Sequence, residues 1–243
     1  MRAALLIFVF ALAFLAGAVA RFPLSAALSL GGARAEGLDW RAAEGTVWSG
    51  RVRGLTVRDY PLGDASLSLS PLSLLTLSPA ADVALAGPEA NGRARIVLTP
   101  GGAARLSDGQ ASLRLSELTA IDARLRARGG SLTARDVEIA FRDGRCTQAR
   151  GALQTDALTY GFGGDWRGPV LDGAMACDNG VLVMALTGAD EAQEVEARAM
   201  LGRGETRVEA AVRSDDPALA RIAPLIGFTP YGEGWRYQRS FGE

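Results

Sequence analysis

Apolar and polar residues alternate with a period of two over most of the chain between residues 45 and 213. The clearest runs lie at residues 65–70, 93–99, 111–116, 121–128, 137–142, 194–201 and 207–213. A period of two is typical of strands with one buried and one solvated face, which are usual in antiparallel sheets. The pattern predicts a mainly β domain with a curved or creased antiparallel sheet. Because almost no amphipathic helix is available to cover the apolar faces, we expect a sandwich or a half-barrel.

Turn-forming residues separate the alternating runs. They are Pro100-Gly101-Gly102, Asp108-Gly109, Gly129-Gly130, Asp143-Gly144 and Asn179-Gly180. The last dipeptide favours a two-residue type I′ hairpin. Leu55–Asp59 and Leu132–Asp136 share the pattern L-T-x-R-D, which indicates two related halves that meet near residues 129–131.

An uninterrupted run of apolar and small residues, Ala3–Ala20, follows Met1 and Arg2. A membrane-spanning helix needs about 17–25 residues and the core of a signal peptide about 7–15, so the run favours a transmembrane helix. Ala18-Val19-Ala20 also fits a signal-peptide cleavage site, which leaves removal of the segment as the alternative. We predict a membrane anchor over residues 1–22, a connector over 23–44 and a β-domain over 45–243.

Two short helices are predicted outside the alternating runs. Ser25–Leu30 would form one in the connector, ended by Gly31-Gly32. Pro217–Ile226 would form the other, with Ser214 or Asp215 as its cap and Gly227 at its end. Its residues Leu219, Ile222 and Ile226 would share one face.

Composition excludes most catalytic chemistries. The net charge is −1, from 26 basic and 27 acidic residues, so no strong field favours nucleic acid or an acidic partner. The chain has no His and no Lys, which excludes Ser-His-Asp, Cys-His and Ser-Lys catalysis and His-ligated zinc. A pair of carboxylates is the remaining enzymatic option, and no constellation for one is present. We therefore predict no enzyme, no cofactor and no metal site.

Three arginines, Arg124, Arg126 and Arg128, line one face of a predicted strand. They could bind an acidic partner or lipid headgroups. A solvated strand face is the simpler interpretation, because arginine is the only basic residue type in this chain.

The two cysteines, Cys146 and Cys177, lie in a β-rich region behind an export segment. This context favours a disulfide, with two buried free thiols as the alternative. Cys146 follows the Asp143-Gly144 turn and Cys177 precedes the Asn179-Gly180 turn, so both lie at strand ends. A structural disulfide requires an oxidising compartment and would place residues 45–243 in the periplasm.

The stretch Glu44–Tyr60 predicts the first strand of the domain. Gly45 and Gly50 bracket strand-favouring residues, and Trp48 would lie on the same face as Val52, as a core anchor. A partner-binding role for an exposed Trp48 is the alternative. The alternation changes phase near Gly54, which indicates a bulge.

Several motifs together resemble one known family. Gly45-Thr46-Val47-Trp48-Ser49-Gly50 has the form G-T-[LV]-W-S-G, Ser70–Leu75 fits an S/R-P-L-x-L-L turn, and Gly227-Phe228 fits its C-terminal motif. Trp166-Arg167-Gly168-Pro169 is paired with Cys177-Asp178-Asn179-Gly180. Over most of its length the chain is similar to protein N of the bacterial type II secretion system. The motif residues with an implied structural role are Gly45, Thr46, Trp48, Gly50, Pro71, Trp166, Gly168 and Pro169.

The resemblance implies a non-enzymatic, single-pass inner-membrane component of the type II secretion machinery, with its C-terminal domain in the periplasm. Such a component supports the export of folded proteins across the outer membrane. The implied partners are other secretion components and the inner membrane, reached through Ala3–Ala20. AsmA-like envelope proteins share the Trp-Ser-Gly opening and the Pro-Leu turn. The alternative function is therefore holding or transferring lipid in a hydrophobic β-groove, with lipid as the partner.

Overall fold

The computed structural model describes residues 17, 19–30, 32, 34, 37–57, 60–88, 90–99, 101–117, 129–161, 166–202 and 204–242. Within them the chain forms one open antiparallel sheet of fifteen strands. The helical segments are short and connect strands or precede the first one. The mainly β fold and the antiparallel pairing predicted from the alternation are confirmed.

The strands are β1 Leu38–Asp39, β2 Ala42–Thr46, β3 Ser49–Val57, β4 Tyr60–Leu69, β5 Ala80–Ala86, β6 Ala90–Thr99, β7 Ala103–Arg114, β8 Ser131–Arg142, β9 Arg145–Thr155, β10 Leu171–Asp178, β11 Val181–Ala189, β12 Gln193–Leu201, β13 Glu205–Ser214, β14 Thr229–Tyr231 and β15 Gly234–Gly242. The α-helices are α1 Leu24–Leu30, α2 Pro71–Leu75 and α3 Pro217–Ile222. Single 3₁₀ turns cover Leu115–Glu117, Ala157–Tyr160 and Ala223–Ile226.

From β3 to β13, strands that follow each other in the chain are neighbours in the sheet. At one edge, β1 and β2 both pair with β3, as two pieces of one interrupted edge strand. At the other edge, β15 lies between β13 and β14. A sandwich needs two packed sheets. All strands of the described residues belong to a single sheet, so the sandwich is not the arrangement that they form.

The strand register gathers the apolar residues of successive strands on one face. Ile96 lies opposite Leu106, which lies opposite Ile139 on the next strand. On the other face Asp82 lies opposite Arg95, and their side chains form an ion pair. The period of two therefore separates an apolar face from a charged face, as predicted.

Two irregularities in the ladders lie at glycines. The register between β3 and β4 shifts around Gly54, which has φ 59, and this confirms the predicted bulge. Asp108-Gly109 does not form the predicted turn. The β7–β8 register shifts there instead, while β7 continues to Arg114, so the dipeptide is a bulge within a long strand. The turn prediction is wrong because both neighbouring strands continue to pair beyond this point.

Both predicted helices are present, with different caps and lengths. Helix α1 covers Leu24–Leu30 and so begins one residue before the predicted Ser25–Leu30. Helix α3 ends at Ile222 and continues as a 3₁₀ turn to Ile226, before Gly227 at φ 89. Its cap is Asp216, whose side chain accepts a hydrogen bond from the backbone of Ala218, and not Ser214 or Asp215.

Two apolar clusters lie at opposite ends of the strand order. The first contains Leu24, Val52 and Ala65 and is covered by helix α1. The second is formed mainly by residues of β10, β12, β13 and α3, together with Trp166. Its buried members are Trp166, Leu171, Val195, Val212, Ala218, Leu219, Ile222 and Ala223. Short helices thus bury the apolar face of the sheet near both of its edges.

Several predictions concern residues outside the described ranges. Arg124, Arg126 and Arg128 lie there, as does most of Ala3–Ala20. Among the described residues, no helix is long and apolar enough to cross a membrane. The sheet begins at Leu38, within the segment predicted as a connector. The anchor over residues 1–22 and the two related halves near 129–131 remain predictions.

Candidate functional site

The Gly-Thr-Val-Trp-Ser-Gly motif forms the hairpin that joins β2 to β3. Gly45 pairs with Gly50 and Thr46 pairs with Ser49, so the two residues between them make the turn. Trp48 is therefore a half-buried turn residue. The sequence had predicted a core residue of the first strand, and that prediction is wrong because the turn between β2 and β3 falls at Val47 and Trp48. Its indole Nε1 donates a hydrogen bond to the carbonyl oxygen of Val19 at 2.9 Å.

Both glycines of this motif are required by close backbone approach. A Cβ at Gly45, which has φ 84, would lie 2.5 Å from the carbonyl oxygen of Ser49. A Cβ at Gly50 would lie 2.5 Å from Cδ2 of Leu24 and 2.8 Å from the carbonyl oxygen of Thr46. Real Cβ atoms are not found at such distances. The hairpin is thus shaped to receive Leu24, which is 1% exposed.

The chain before α1 runs along the same hairpin. The backbone N–H of Val47 donates to the carbonyl of Phe22 at 3.1 Å, and Pro23 forms an isolated bridge with Thr46. Together with the Trp48 contact, these bonds fix residues 19–24 to the edge of the sheet. The sequence did not reveal this docking, because Leu24 lies in a segment without strand periodicity.

The Ser-Pro-Leu motif forms the connection between β4 and β5. Pro71 begins helix α2, a position where its missing N–H costs no hydrogen bond. Ser73 Oγ donates to the carbonyl of Ser70 at 2.6 Å and accepts the backbone N–H of Ala80 at 2.8 Å. The side chain of Ser73 thus links Ser70, which follows β4, to Ala80, the first residue of β5. Leu72 on this connection is 74% exposed.

The Trp-Arg-Gly-Pro motif lies at the other end of the strands. Trp166 is 3% exposed within the second apolar cluster. A Cβ at Gly168 would lie 2.8 Å from Cβ of Leu158 and 3.0 Å from Cη2 of Trp166, so only glycine fits beside this ring. Pro169 follows as a half-buried residue just before β10. This motif supports the core, and its contacts indicate no exposed site.

The disulfide joins Cys146 on β9 to Cys177 on β10, with Cα atoms 5.5 Å apart. Backbone pairing between these strands runs only from Leu171 opposite Thr155 to Ala174 opposite Ala152. The disulfide therefore holds the ends of β9 and β10 together beyond their ladder, aided by a hydrogen bond from the Cys146 N–H to the Gly180 carbonyl at 2.9 Å. The motif halves at Trp166 and Cys177 lie at opposite ends of β10.

The apolar face of β10, β11 and β12 is only partly covered beyond the second cluster. Met175 lies opposite Met184 on β10 and β11, and both side chains are half-buried. Leu182 lies opposite Leu201 on β11 and β12, and Leu201 is 38% exposed. An apolar surface of this kind can bind an apolar ligand or another protein surface.

The opposite face carries exposed ion pairs between neighbouring strands. Arg213 contacts Glu194 at 2.8 Å, and Arg150 forms a hydrogen-bonded pair with Glu138. The hydrogen bond from Arg150 lowers the pKa of Glu138, because the cation favours the ionised carboxyl. Exposed pairs of this kind contribute little to stability, because solvent screens the two charges. Among the described residues, no group of three or more His, Cys, Asp or Glu side chains is placed to hold a metal ion.

A family model described as type II secretion system (T2SS), protein N, matches residues 36–238. No curated protein and no solved structure matches the chain. The matched range contains the hairpin motif, the Ser-Pro-Leu connection, the disulfide and the Trp166 cluster.

Proposed function

This chain belongs to the type II secretion system protein N family, and we propose that it acts as a non-enzymatic inner-membrane component that supports export of folded proteins across the outer membrane. The observation that carries this proposal is the family match over residues 36–238, nearly the whole sheet. Membership makes the chain a component of the secretion machinery, and other components of that machinery are its proposed partners.

A structural role is supported by what the motifs do in this fold. Gly45, Gly50 and Gly168 allow close packing, and Pro71 begins a helix. The chain also contains no His and no Lys, so the common nucleophilic triads have no base. Scaffolding by the sheet, and no chemical step, is the proposed contribution to export.

Two features support placement in the envelope with the sheet on the periplasmic side. The disulfide between Cys146 and Cys177 is a bond that persists in oxidising compartments and is rare in the cytosol. The apolar run Ala3–Ala20 is long enough to anchor the chain in the inner membrane. With one span and a periplasmic sheet, the amino terminus would lie in the cytoplasm.

Deletion of the gene tests the proposed function. We expect exoenzymes to accumulate in the periplasm of the deletion strain, and the full chain to restore their secretion when supplied on a plasmid. A matched strain with the sheet fused to a cleavable signal peptide, in place of residues 1–20, tests whether the anchor is needed. Normal exoenzyme secretion in the deletion strain would refute a role in export.

Mass spectrometry of the membrane-extracted chain tests the anchor separately. We expect residues 1–20 to be retained and the chain to stay with the membranes after carbonate extraction. A mature amino terminus at Arg21 in a soluble periplasmic fraction would show that the segment is a cleaved signal peptide.

The partly covered apolar face favours a second candidate function, holding or transferring lipid as AsmA-like envelope proteins do. Met184 lies on this face, opposite Met175, and its neighbour Ala185 points to the opposite face. Organic extraction of the purified chain followed by mass spectrometry should then detect phospholipid. Met184→Glu should lose it and Ala185→Glu should keep it, whereas equal lipid content in both variants would exclude this face as a lipid site.

A further inference from the structure

The antiparallel strands place several connections at one end of the sheet, which we call the hairpin end. It is defined by the β2–β3 turn at Val47-Trp48, the β4–β5 connection at residues 70–79 and the β6–β7 turn at Gly101-Gly102. Gly50 pairs with Leu67, which brings the first two of these connections side by side. Ser68 Oγ also donates a hydrogen bond to the carbonyl of Trp48.

Large apolar side chains are exposed along the hairpin end. Leu72 and Leu77 are each 74% exposed, and Leu98 is 50% exposed. Val19 and Phe22, which lie against the hairpin, are 48% and 38% exposed. Single exposed apolar residues are normal, but these five all lie at one end of the strands, on or beside neighbouring connections.

The connection that carries Leu72 and Leu77 has no charged side chains and few free hydroxyl groups, as a segment that contacts an apolar environment requires. Residues 65–81 contain no charged side chain. Three of its hydroxyl groups donate to carbonyl oxygens within the connection, from Ser73 to Ser70, from Thr76 to Ser73 and from Ser78 to Thr76. The absence of charges and these internal hydrogen bonds lower the cost of moving the connection out of water, since the penalty arises mainly from unpaired polar groups and charges.

Leu77 has a left-handed backbone with φ 55, a conformation that is unfavourable for a non-glycine residue. The strain does not serve packing, because the side chain is exposed. The Ser78 N–H donates to the Ser73 carbonyl and holds this conformation. Strained residues of this kind concentrate at functional sites.

The apolar run Ala3–Ala20 ends at the same place. The carbonyl of Val19 accepts hydrogen bonds from the backbone N–H of Phe22 at 3.2 Å and from Trp48 Nε1 at 2.9 Å, and the second of these bonds ties this point of the chain to the hairpin. Leu24 is then buried against Gly50 four residues beyond the run. The end of the run is thus fixed to the hairpin end and cannot swing away on a flexible linker.

We propose that the hairpin end of the sheet lies on the surface of a phospholipid bilayer, with Leu72 and Leu77 in the boundary between headgroups and acyl chains. This inference rests on the proposed membrane anchor, whose apolar run would emerge beside these leucines. The indole of Trp48 suits the same boundary, where Trp is enriched in membrane proteins. The sheet is then docked on the membrane in one orientation.

Site-directed spin labelling of the full chain in vesicles of phosphatidylethanolamine and phosphatidylglycerol tests this orientation. The sequence contains only two cysteines, and they form the disulfide, so one introduced cysteine reacts selectively. Leu72→Cys and Leu77→Cys carry the label in two variants. Leu225→Cys is the matched control, because Leu225 is 68% exposed and lies on the 3₁₀ turn at the opposite end of the strands. Circular dichroism of each labelled variant checks that the sheet is retained.

The measured quantity is the accessibility of the label to oxygen relative to a water-soluble nickel chelate. We expect this ratio to be several-fold higher at residues 72 and 77 than at residue 225, because oxygen partitions into the bilayer and the chelate does not. Equal ratios at the three sites in membrane-anchored protein would overturn the docking. Spin–spin broadening at residue 72 would also overturn it, in favour of contact with a second copy.

Carbonate extraction of the same vesicles separates this inference from the anchor. If the chain is extracted but the labels at 72 and 77 are lipid-exposed, the hairpin end docks without a spanning anchor, and only the anchor fails. If the chain resists extraction while both labels are exposed to water, the anchor stands and the docking is refuted.

Discussion

The disulfide between Cys146 and Cys177 should be a large part of the stability of this sheet. The two cysteines are 31 residues apart in the sequence, and the chain-entropy relation gives about 3.7 kcal/mol for closure of a loop of this length. Typical domains have a free energy of unfolding of about 5–15 kcal/mol. Replacement of both cysteines by alanine should therefore remove a quarter or more of the stability.

Urea unfolding followed by circular dichroism measures the effect. With a slope of about 2–3 kcal/mol per molar urea, the midpoint of the double alanine variant should fall by about 1–2 M. Reduction of the wild-type chain should lower the midpoint by a similar amount, and the same reductant should leave the double variant unchanged. That matched pair separates loss of the bond from any effect of the reductant on the sheet.

Hydrogen exchange locates the loss within the sheet. Because the β9–β10 ladder ends at Ala152 and Ala174, each strand end beyond it has a paired strand on one side only, β8 for β9 and β11 for β10, and the disulfide links the two ends on the other side. Amides of residues 145–150 and 175–178 should exchange faster in the double variant, while those of β12 and β13 should change little. An unchanged urea midpoint together with unchanged exchange at these amides would refute the reasoning.

Three further changes probe other parts of the fold. Gly50→Ala should destabilise the chain by about 1–3 kcal/mol in urea unfolding, because its methyl would lie 2.5 Å from a buried leucine, whereas Gly202→Ala, with 3.4 Å to the nearest atom, should not. Asp216→Ala should lower stability by about 0.5–2 kcal/mol through loss of the helix cap, and an unchanged melting temperature would show that the cap is unimportant. Hydrogen bonds from the Gln193 side chain, and then from the backbone, lower the pKa of Asp190 below its usual 3.8. The ionised carboxyl therefore stabilises the fold above this pH, and the stability difference between wild type and Asp190→Asn should shrink as the pH falls below 3.8; a constant difference would contradict this.

The sequence alone determined the elements whose signals are local. Alternation with a period of two reports which face of a strand is buried, whatever strand lies beside it, and it located most strands between residues 65 and 213. The hairpin at Asn179-Gly180 was equally predictable, since the φ angles of 51 and 85 are the ones that these residue types favour. The pairing of Cys146 with Cys177 followed from there being two cysteines, both at strand ends.

Two Asp-Gly dipeptides show where local signals stop. Asp108 and Asp143 both have φ 52, so their local conformations agree with the turn prediction. The chain reverses at Asp143, but at Asp108 it continues as one strand with a bulge. The difference lies in the neighbours, because β6 and β8 pair with β7 on both sides of Asp108.

The hairpin at Trp48 was beyond prediction for the same reason. Its first strand, Ala42–Thr46, has no alternation and exists because β3 supplies its hydrogen-bond partners. The burial of Leu24 against Gly50 is a contact between two segments that are far apart in the sequence, and no local pattern reports it. Only the tertiary structure decided that the strands of the described residues join one open sheet, that short helices cover the apolar clusters near its two edges, and that residues 19–24 dock on the first hairpin. Strand pairing and helix docking are contacts between distant residues, and the alternation of a single strand is the same whichever partner satisfies its backbone.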